Sequence, residues 1–141
     1  MEPNRALLQP AAALAAWTFV MWAWMFATRI PAIRRAGMTL DPTHPRGEQM
    51  ATLPAEVRWK ADNFNHLFEQ PTIFYPTVII AALLPGSGPV DLGLAWTYVG
   101  LRVIHSLYQA TVNTIEVRFA LFFLSSLALL GLVGRVLLAL I

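Results

Sequence analysis

The sequence contains no cysteine and little charge. Charged residues make up 13% of its 141 residues, whereas soluble domains carry about 25%. The absence of cysteine excludes disulfides, thiolate metal ligands and a cysteine nucleophile, so any thiol chemistry must come from a bound small molecule. The formal net charge is only +2, and the few basic residues lie near the ends of apolar segments, so nothing indicates nucleic-acid binding.

Apolar segments are what the sequence has in abundance. Hydrophobic residues make up 57% of the chain and gather into four blocks, each near the roughly 20 residues that cross a bilayer as a helix. The first block is longer than the apolar core of a signal peptide, about 7–15 residues, and is interpreted as a retained span. We therefore predict an all-α membrane protein in which residues 1–141 form a single four-transmembrane-helix bundle. The predicted helices are 6–30, 55–84, 92–112 and 117–140.

The basic residues predict the orientation of these spans. The first connection has five of them, Arg34, Arg35, Arg46, Arg58 and Lys60, whereas the turn at 85–89 has none. By the positive-inside rule, the first and third connections face the cytoplasm and both termini face outside. Arg135 argues mildly for the opposite orientation. We take the membrane to be a bacterial inner membrane.

Polar residues crowd the start of the second predicted helix. Nine residues of sequence contain Asp62, Asn63, Asn65, His66, Glu69 and Gln70. Pro71 follows, and a proline removes a backbone donor, so a kink there would open space beside Glu69. On a helix these residues form two adjacent rows, one of Asp62, Asn65 and Glu69 and the other of Asn63, His66 and Gln70. Helix geometry does not decide which row faces inward. We favour a solvated position for Asp62 and Asn63, whereas Glu69 lies deeper.

A second polar stripe runs along one face of the third predicted helix. Its members share one helical face if the helix continues far enough, and they are Tyr98, Arg102, His105, Gln109, Asn113 and Glu116. An arginine at the centre of a span costs about 2.5–3.5 kcal/mol, so Arg102 is expected to face protein or a hydrated cavity. Two interpretations remain open: a structural ion pair with Glu69, or participation in a ligand site.

Both stripes converge on one end of the bundle, where their chemistry suits a multiply charged organic anion. Arginines pair with carboxylates, and Glu69 could hold an ammonium group. Arg118, at the N-terminus of the fourth helix, adds positive potential suited to a bound thiolate. His66, Glu69 and His105 are of metal-ligand type, but their spacing matches no strong motif and arginines lie near, so we predict no metal site.

Two motifs resemble the membrane-associated proteins in eicosanoid and glutathione metabolism, the MAPEG family, and in particular its microsomal glutathione transferases. They are Arg58…Lys60-Ala61…Asn65…Glu69-Gln70-Pro71 and Arg102-x-x-His105…Arg118. The resemblance implies a homotrimer that binds glutathione between subunits, near the cytoplasmic face. It also implies a transferase or peroxidase acting on lipophilic electrophiles or lipid hydroperoxides that enter from the surrounding membrane lipids.

The resemblance implies roles for individual residues as well. Arg118 resembles the arginine that stabilises the glutathione thiolate, and it is the predicted catalytic residue. Together with the two stripes, the resemblance gives the candidate glutathione-binding residues, which are Asn65, His66, Glu69, Arg102, His105, Gln109, Arg58 and Arg34. In another register, Arg29 takes the place of Arg34.

Two departures from the family pattern leave alternatives open. Asn65 and Glu69 are four residues apart, whereas the family commonly spaces this pair by three, which would put His66 in the place of the asparagine. Phe122 stands where several catalytic members have tyrosine. A non-catalytic lipid-binding or scaffold protein of the same fold is the main alternative. A small transporter is a further one, although the four spans show no broken-helix repeat.

Overall fold

The protein is described by a computed structural model that covers residues 3–45 and 47–141. Arg46, counted above among the basic residues of the first connection, lies outside the described residues. No strand occurs within the described ranges, so the all-α prediction is confirmed there. The helices are α1 (Arg5–Arg35), α2 (Glu48–Ala51), α3 (Ala55–His66), α4 (Pro71–Leu83), α5 (Pro89–Thr111) and α6 (Ile115–Leu140).

Helix α1 continues beyond its predicted end at residue 30, through a proline, to Arg35. It ends in a Schellman motif, in which Gly37 N–H donates to the Arg34 carbonyl at 3.1 Å and Met38 N–H to the Ile33 carbonyl at 3.2 Å. Gly37 has a φ of +58°, a left-handed conformation that favours glycine. Gly37 therefore sets the end of α1, whereas Pro31 lies inside the helix and does not end it.

The second predicted helix, 55–84, is divided into α3 and α4. Phe68 N–H donates to the Asn65 carbonyl at 2.9 Å in the turn between them, and Pro71 begins α4, where its missing N–H is not needed. The predicted kink is therefore a complete break. The carbonyl groups at the end of α3 therefore accept from N–H groups of the turn, and the last of them, that of His66, receives a long bond of 3.4 Å from Glu69 N–H.

The helices pack as an antiparallel bundle in which α5 contacts α1, α3 and α6, and α1 also contacts α3 and α4. The rings of Phe74 and Tyr98 stack with their centroids 4.5 Å apart, which joins α4 to α5. The buried apolar core also includes Leu7, Leu14, Met21, Leu67, Val78, Val99, Leu129 and Leu132.

Polar contacts tie one end of the bundle together. Asn4 N–H donates to the Ala82 carbonyl at 2.8 Å, which joins α1 to α4. Arg135 donates to Asp91 from Nε at 2.5 Å and from Nη2 at 3.1 Å, and Asp91 also accepts from Gly88 N–H at 2.9 Å. This ion pair joins α5 to α6 at that end of the bundle. The break after α3 and the α5–α6 connection lie at the other end.

Two helices, α1 and α6, are long and apolar enough to cross a membrane by length and composition. Helices α4 and α5 do not meet the same criteria. The polar stripe of α5 lowers its mean hydropathy, and α4 has only 13 residues because of the break before Pro71. Large apolar side chains on the outer surface are widely exposed, including Phe19 and Leu138. Such a surface suits contact with lipid or with another subunit rather than with water.

Gly37 provides a test of how α1 ends. In Gly37→Ala, the new Cβ meets no atom within 4 Å, so the only penalty is the left-handed backbone, and we expect a loss of about 1 kcal/mol in unfolding free energy. The measurement is thermal unfolding of the detergent-purified protein. Gly93→Ala is the matched control, since Gly93 lies within α5 with equal space around it, and it should be neutral or stabilising. Equal melting temperatures for Gly37→Ala and wild type would contradict the left-handed assignment.

Candidate functional site

The break after α3 leaves the His66 carbonyl with a long backbone bond, 3.4 Å from Glu69 N–H, and Arg102 donates a shorter one to the same oxygen. Its Nη2 donates to the His66 carbonyl at 3.0 Å, and its Nη1 lies 3.3 Å from His66 Nε2. Arg102 is only 1% exposed, and the partial negative charge of a helix C-terminus favours a cation at this position. Of the two interpretations left open for Arg102, the direct ion pair with Glu69 does not occur, because Glu69 contacts His66 instead.

His66 connects Arg102 to Glu69. Its Nδ1 lies 2.6 Å from Glu69 Oε2. A guanidinium has only donors, so Nε2 of His66 accepts from Arg102, and Nδ1 then carries the proton that it donates to the carboxylate. The Glu69 side chain is 66% exposed, so the prediction that it lies deeper in the bundle is wrong. Arg102 and His66 together support a carboxylate that is open to a ligand.

Four members of the predicted polar stripe are buried along α5. They are Tyr98, Arg102, His105 and Gln109. The last two predicted members, Asn113 and Glu116, are not on this helix, because α5 ends at Thr111 and Asn113 has a positive φ of 63°. Glu116 is exposed in the first turn of α6. The stripe thus ends at Gln109, about two turns earlier than the periodicity predicted.

Several buried polar atoms around this stripe have no hydrogen-bond partner within the described part of the chain. They are Arg102 Nε, His105 Nδ1, Ser106 Oγ, Gln109 Oε1 and both amide atoms of Asn63. An unpaired buried polar group costs about 1–3 kcal/mol. The arrangement therefore offers donors and acceptors for a polar ligand or for a second subunit.

The start of α6 brings Arg118 to the same region. Its Nη1 donates to Asn113 Oδ1 at 2.7 Å, and it lies close enough to His66 and His105 to interact with both electrostatically. One turn later, the ring of Phe122 packs with its centroid 5.4 Å from that of His66 and 6.5 Å from that of His105. An apolar ring without a hydroxyl therefore closes one side of the site. We call His66, Glu69, Arg102, His105 and Arg118 the α5 cluster.

Asn65 lies on a different side of α3 from the α5 cluster. It lines a cavity of about 210 Å³ together with Arg29, Arg58 and Asp62, which we call the α1–α3 cavity. The buried Nε of Arg29 has no partner within the described chain. The predicted site is therefore divided into two parts within one chain. Each part contains two arginines, and the histidines lie only in the α5 cluster.

Two further residues differ from their predicted positions. Arg34 is exposed in the last turn of α1 and lines neither part of the site, so Arg29 is the α1 arginine that the structure places there. Asn63 is 1% exposed, and the prediction that it faces water is wrong. Its spacing of three from His66 was the available signal, because residues three apart share a helical face.

Gln70 joins the turn between α3 and α4 to α6. Its Nε2 donates to Ser126 Oγ at 2.7 Å, and that hydroxyl donates to the Phe122 carbonyl of its own helix at 2.8 Å. Ser125, the preceding residue, bonds only to the same carbonyl. Arg102 on α5 and Ser126 on α6 thus both hold the turn between α3 and α4 in place.

The sequence matches the MAPEG family over residues 7–138. This chain belongs to the MAPEG family. The match covers nearly the whole described structure, confirms the resemblance found in the motifs, and makes the chain a helical membrane protein related to glutathione or eicosanoid metabolism. No curated protein and no solved structure matches it.

Glutathione is the ligand generally associated with the MAPEG family, and the residues present fit it. Glutathione carries two carboxylates, an ammonium group, two peptide groups and a thiol. The buried Nε atoms of Arg29 and Arg118 lack partners within the described chain, and guanidinium donors suit carboxylates and thiolates. Glu69 offers a carboxylate for the ammonium group. In the ranges 3–45 and 47–141, no three metal-ligating side chains converge.

Substitutions of Ser126 and Ser125 test the hydrogen bond that joins Gln70 to α6. Ser126→Ala removes the acceptor of Gln70, so we expect it to lower the unfolding free energy by about 1 kcal/mol. Ser125→Ala removes a bond within α6 alone and should be nearly neutral, since alanine is the better helix former. Thermal unfolding of the two variants in the same detergent measures the difference. A larger loss for Ser125→Ala than for Ser126→Ala would contradict the described contact.

Proposed function

We propose that this MAPEG protein is a glutathione transferase or peroxidase that acts on lipophilic electrophiles or lipid hydroperoxides. The observation that carries the proposal is the placement of Arg118. It lies in the first turns of α6, where the helix dipole adds positive potential. Its Nη1 is fixed by Asn113, whereas its buried Nε has no partner in the described chain.

Arg118 is assigned the role of stabilising a thiolate. When bound, glutathione supplies a thiol, and a neighbouring positive charge lowers the pKa of a thiol from about 8.5 and favours the nucleophilic thiolate. The contact with Asn113 holds the guanidinium in place without neutralising it. The ring of Phe122 borders the site, and exclusion of water on that side strengthens the interaction between charges.

The division of the site into two parts supports a homotrimer as part of the proposal. The α1–α3 cavity offers arginines for the carboxylates of glutathione, and the α5 cluster offers Arg118 for its sulfur. These parts face different sides of α3 in one subunit. A glutathione molecule bound between subunits would contact the α1–α3 cavity of one copy and the α5 cluster of the next.

A groove between α1 and α3–α4 supports a lipophilic second substrate. It has a volume of about 440 Å³ and a nearly continuous apolar lining that includes Phe19, Trp22, Phe64, Phe68 and Tyr75. Such a groove could accept a lipophilic molecule laterally from the bilayer. Because Phe68 directly precedes Glu69, the groove adjoins the turn that carries the proposed glutathione contacts.

The distribution of basic residues supports a cytoplasmic position for the glutathione site. Arg34, Arg35, Arg58 and Lys60 all lie at the end of the bundle that contains the α5 cluster. The other end has Arg5, at the start of α1, and Arg135, so the basic residues are in excess at the site end. By the positive-inside rule, the site then faces the cytoplasm, where glutathione is available in a bacterial cell.

Phe122 favours a second candidate function, binding without catalysis. A phenylalanine cannot donate the hydrogen bond that a tyrosine hydroxyl could give to a bound thiolate. A chain in which Arg118 alone stabilises the thiolate would bind glutathione or a lipid and react slowly. The thiolate absorbance of bound glutathione distinguishes the two functions, because only the enzyme requires the ionised thiol.

Arg118→Ala tests the thiolate role. We expect this variant to lose the ultraviolet absorbance of the glutathione thiolate that the purified wild-type protein develops when glutathione is added, because the stabilising charge is gone. Transferase activity with a lipophilic electrophile should fall in parallel. Arg35→Ala, at the exposed end of α1, is the control and should keep both signals. Normal thiolate absorbance in folded Arg118→Ala would exclude this role for Arg118.

Glu69→Gln tests the carboxylate of the α5 cluster. Removing its charge should weaken glutathione binding about tenfold in calorimetry, since a charge-assisted hydrogen bond to the ammonium group is lost. Glu56→Gln is the matched control, because Glu56 is an exposed glutamate in the first turn of α3, about three turns of helix away from the turn that carries Glu69. Equal affinities for the Glu69→Gln variant and wild type would remove Glu69 from the site.

A further inference from the structure

Arg102 is buried behind His66, and this order suggests a role different from direct ligand binding. We propose that Arg102 and His66 are positioning residues that orient the Glu69 carboxylate, and that neither needs to contact glutathione to do so. The inference rests on the proposed function for the part that Glu69 plays in glutathione binding. The arrangement of the three side chains is independent of that function.

The first step is the anchoring of Arg102. Its guanidinium is almost completely buried, and Nη2 donates to the His66 carbonyl at 3.0 Å. This carbonyl belongs to the last residue of α3, and its backbone partner is the Glu69 N–H of the turn, at a longer distance of 3.4 Å. The backbone contact fixes the guanidinium plane, and Nη1 is then directed at the imidazole at 3.3 Å.

The second step is the choice of histidine tautomer. An N–H donor at Nε2 makes this nitrogen the acceptor, so the proton lies on Nδ1, 2.6 Å from Glu69 Oε2. The imidazole ring is held by neighbours as well, with centroid distances of 5.1 Å to His105 and 5.4 Å to Phe122. The partner of one ring nitrogen thus determines what the other nitrogen can donate.

The third step is the effect on Glu69. This residue lies in the irregular turn between α3 and α4, where no helix fixes it, and its side chain is mostly exposed. A glutamate in this position would otherwise sample many rotamers. The bond from His66 restricts one carboxylate oxygen and leaves the second directed outward, so the carboxylate is preorganised for a ligand.

Nitrogen-15 NMR of the histidine side chains in the detergent-purified, ligand-free full chain tests the geometry. The chain has three histidines, and the His66 signal is assigned by its loss in His66→Gln and its retention in His44→Gln. We expect wild-type His66 to carry its proton on Nδ1. Arg102→Met should shift His66 toward the tautomer with the proton on Nε2, whereas Arg35→Met should leave it unchanged.

Either of two results overturns the proposal. The first is a proton on Nε2 of His66 in the wild-type protein, which needs no variant to fold. The second is an unchanged His66 signal in folded Arg102→Met. Arg102→Lys keeps the charge but not the planar fork and should give an intermediate shift. A purely structural Arg102 would lower stability without moving the tautomer.

A double-mutant cycle on glutathione affinity tests the functional consequence. Arg102→Met should weaken glutathione binding about tenfold in the wild-type background and have no further effect in Glu69→Gln. Additive losses would mean that Arg102 contacts glutathione directly, which contradicts the positioning role. Wild-type protein that fails to bind glutathione would overturn the proposed function, and the NMR result would then decide the arrangement of the three residues separately.

Discussion

The carbonyl end of α3 and the guanidinium of Arg102 depend on each other. A buried cation in a membrane-spanning bundle is costly without compensation, and a helix that stops inside the bundle leaves carbonyl groups unpaired. The contact between Nη2 of Arg102 and the His66 carbonyl answers both needs. Because this contact fixes α3 against α5, it also sets where the turn containing Glu69 lies. The bond from Gln70 to Ser126 holds the same turn from α6.

The parts of the fold that follow from local pattern were predictable from the sequence. The apolar blocks predicted the spanning helices, and the spacing of Tyr98, Arg102, His105 and Gln109 placed all four on the buried face of α5. Other features depend on tertiary partners that no local pattern specifies. Asn113 ends α5 in a left-handed conformation, which the periodicity did not predict, so the stripe was extended too far. The pairing of Arg102 with His66 rather than Glu69 depends on a carbonyl that only the break makes available.

The candidate site was predictable in its members more than in its arrangement. Asn65 and His66 are adjacent in sequence, and helix geometry alone could not decide which of them accompanies Glu69. In the structure His66 contacts Glu69, whereas Asn65 lines the α1–α3 cavity with Arg58. Successive helical residues point about 100° apart, at 3.6 residues per turn. The chain therefore presents the two residues to different surroundings, and an altered spacing need not mean a lost site.

The contacts at the end of the bundle remote from the site have a mechanical consequence. Asn4 joins α1 to α4 there, and the ion pair between Asp91 and Arg135 joins α5 to α6. Helices held at one end move least at that end, so a change of crossing angle acts like a lever. For a helix about 30 Å long, a tilt of about 10° moves the opposite end by about 5 Å. A rotation of this size would therefore widen the site end by the size of a functional group only if the bonds of Arg102 to His66 and of Gln70 to Ser126 broke.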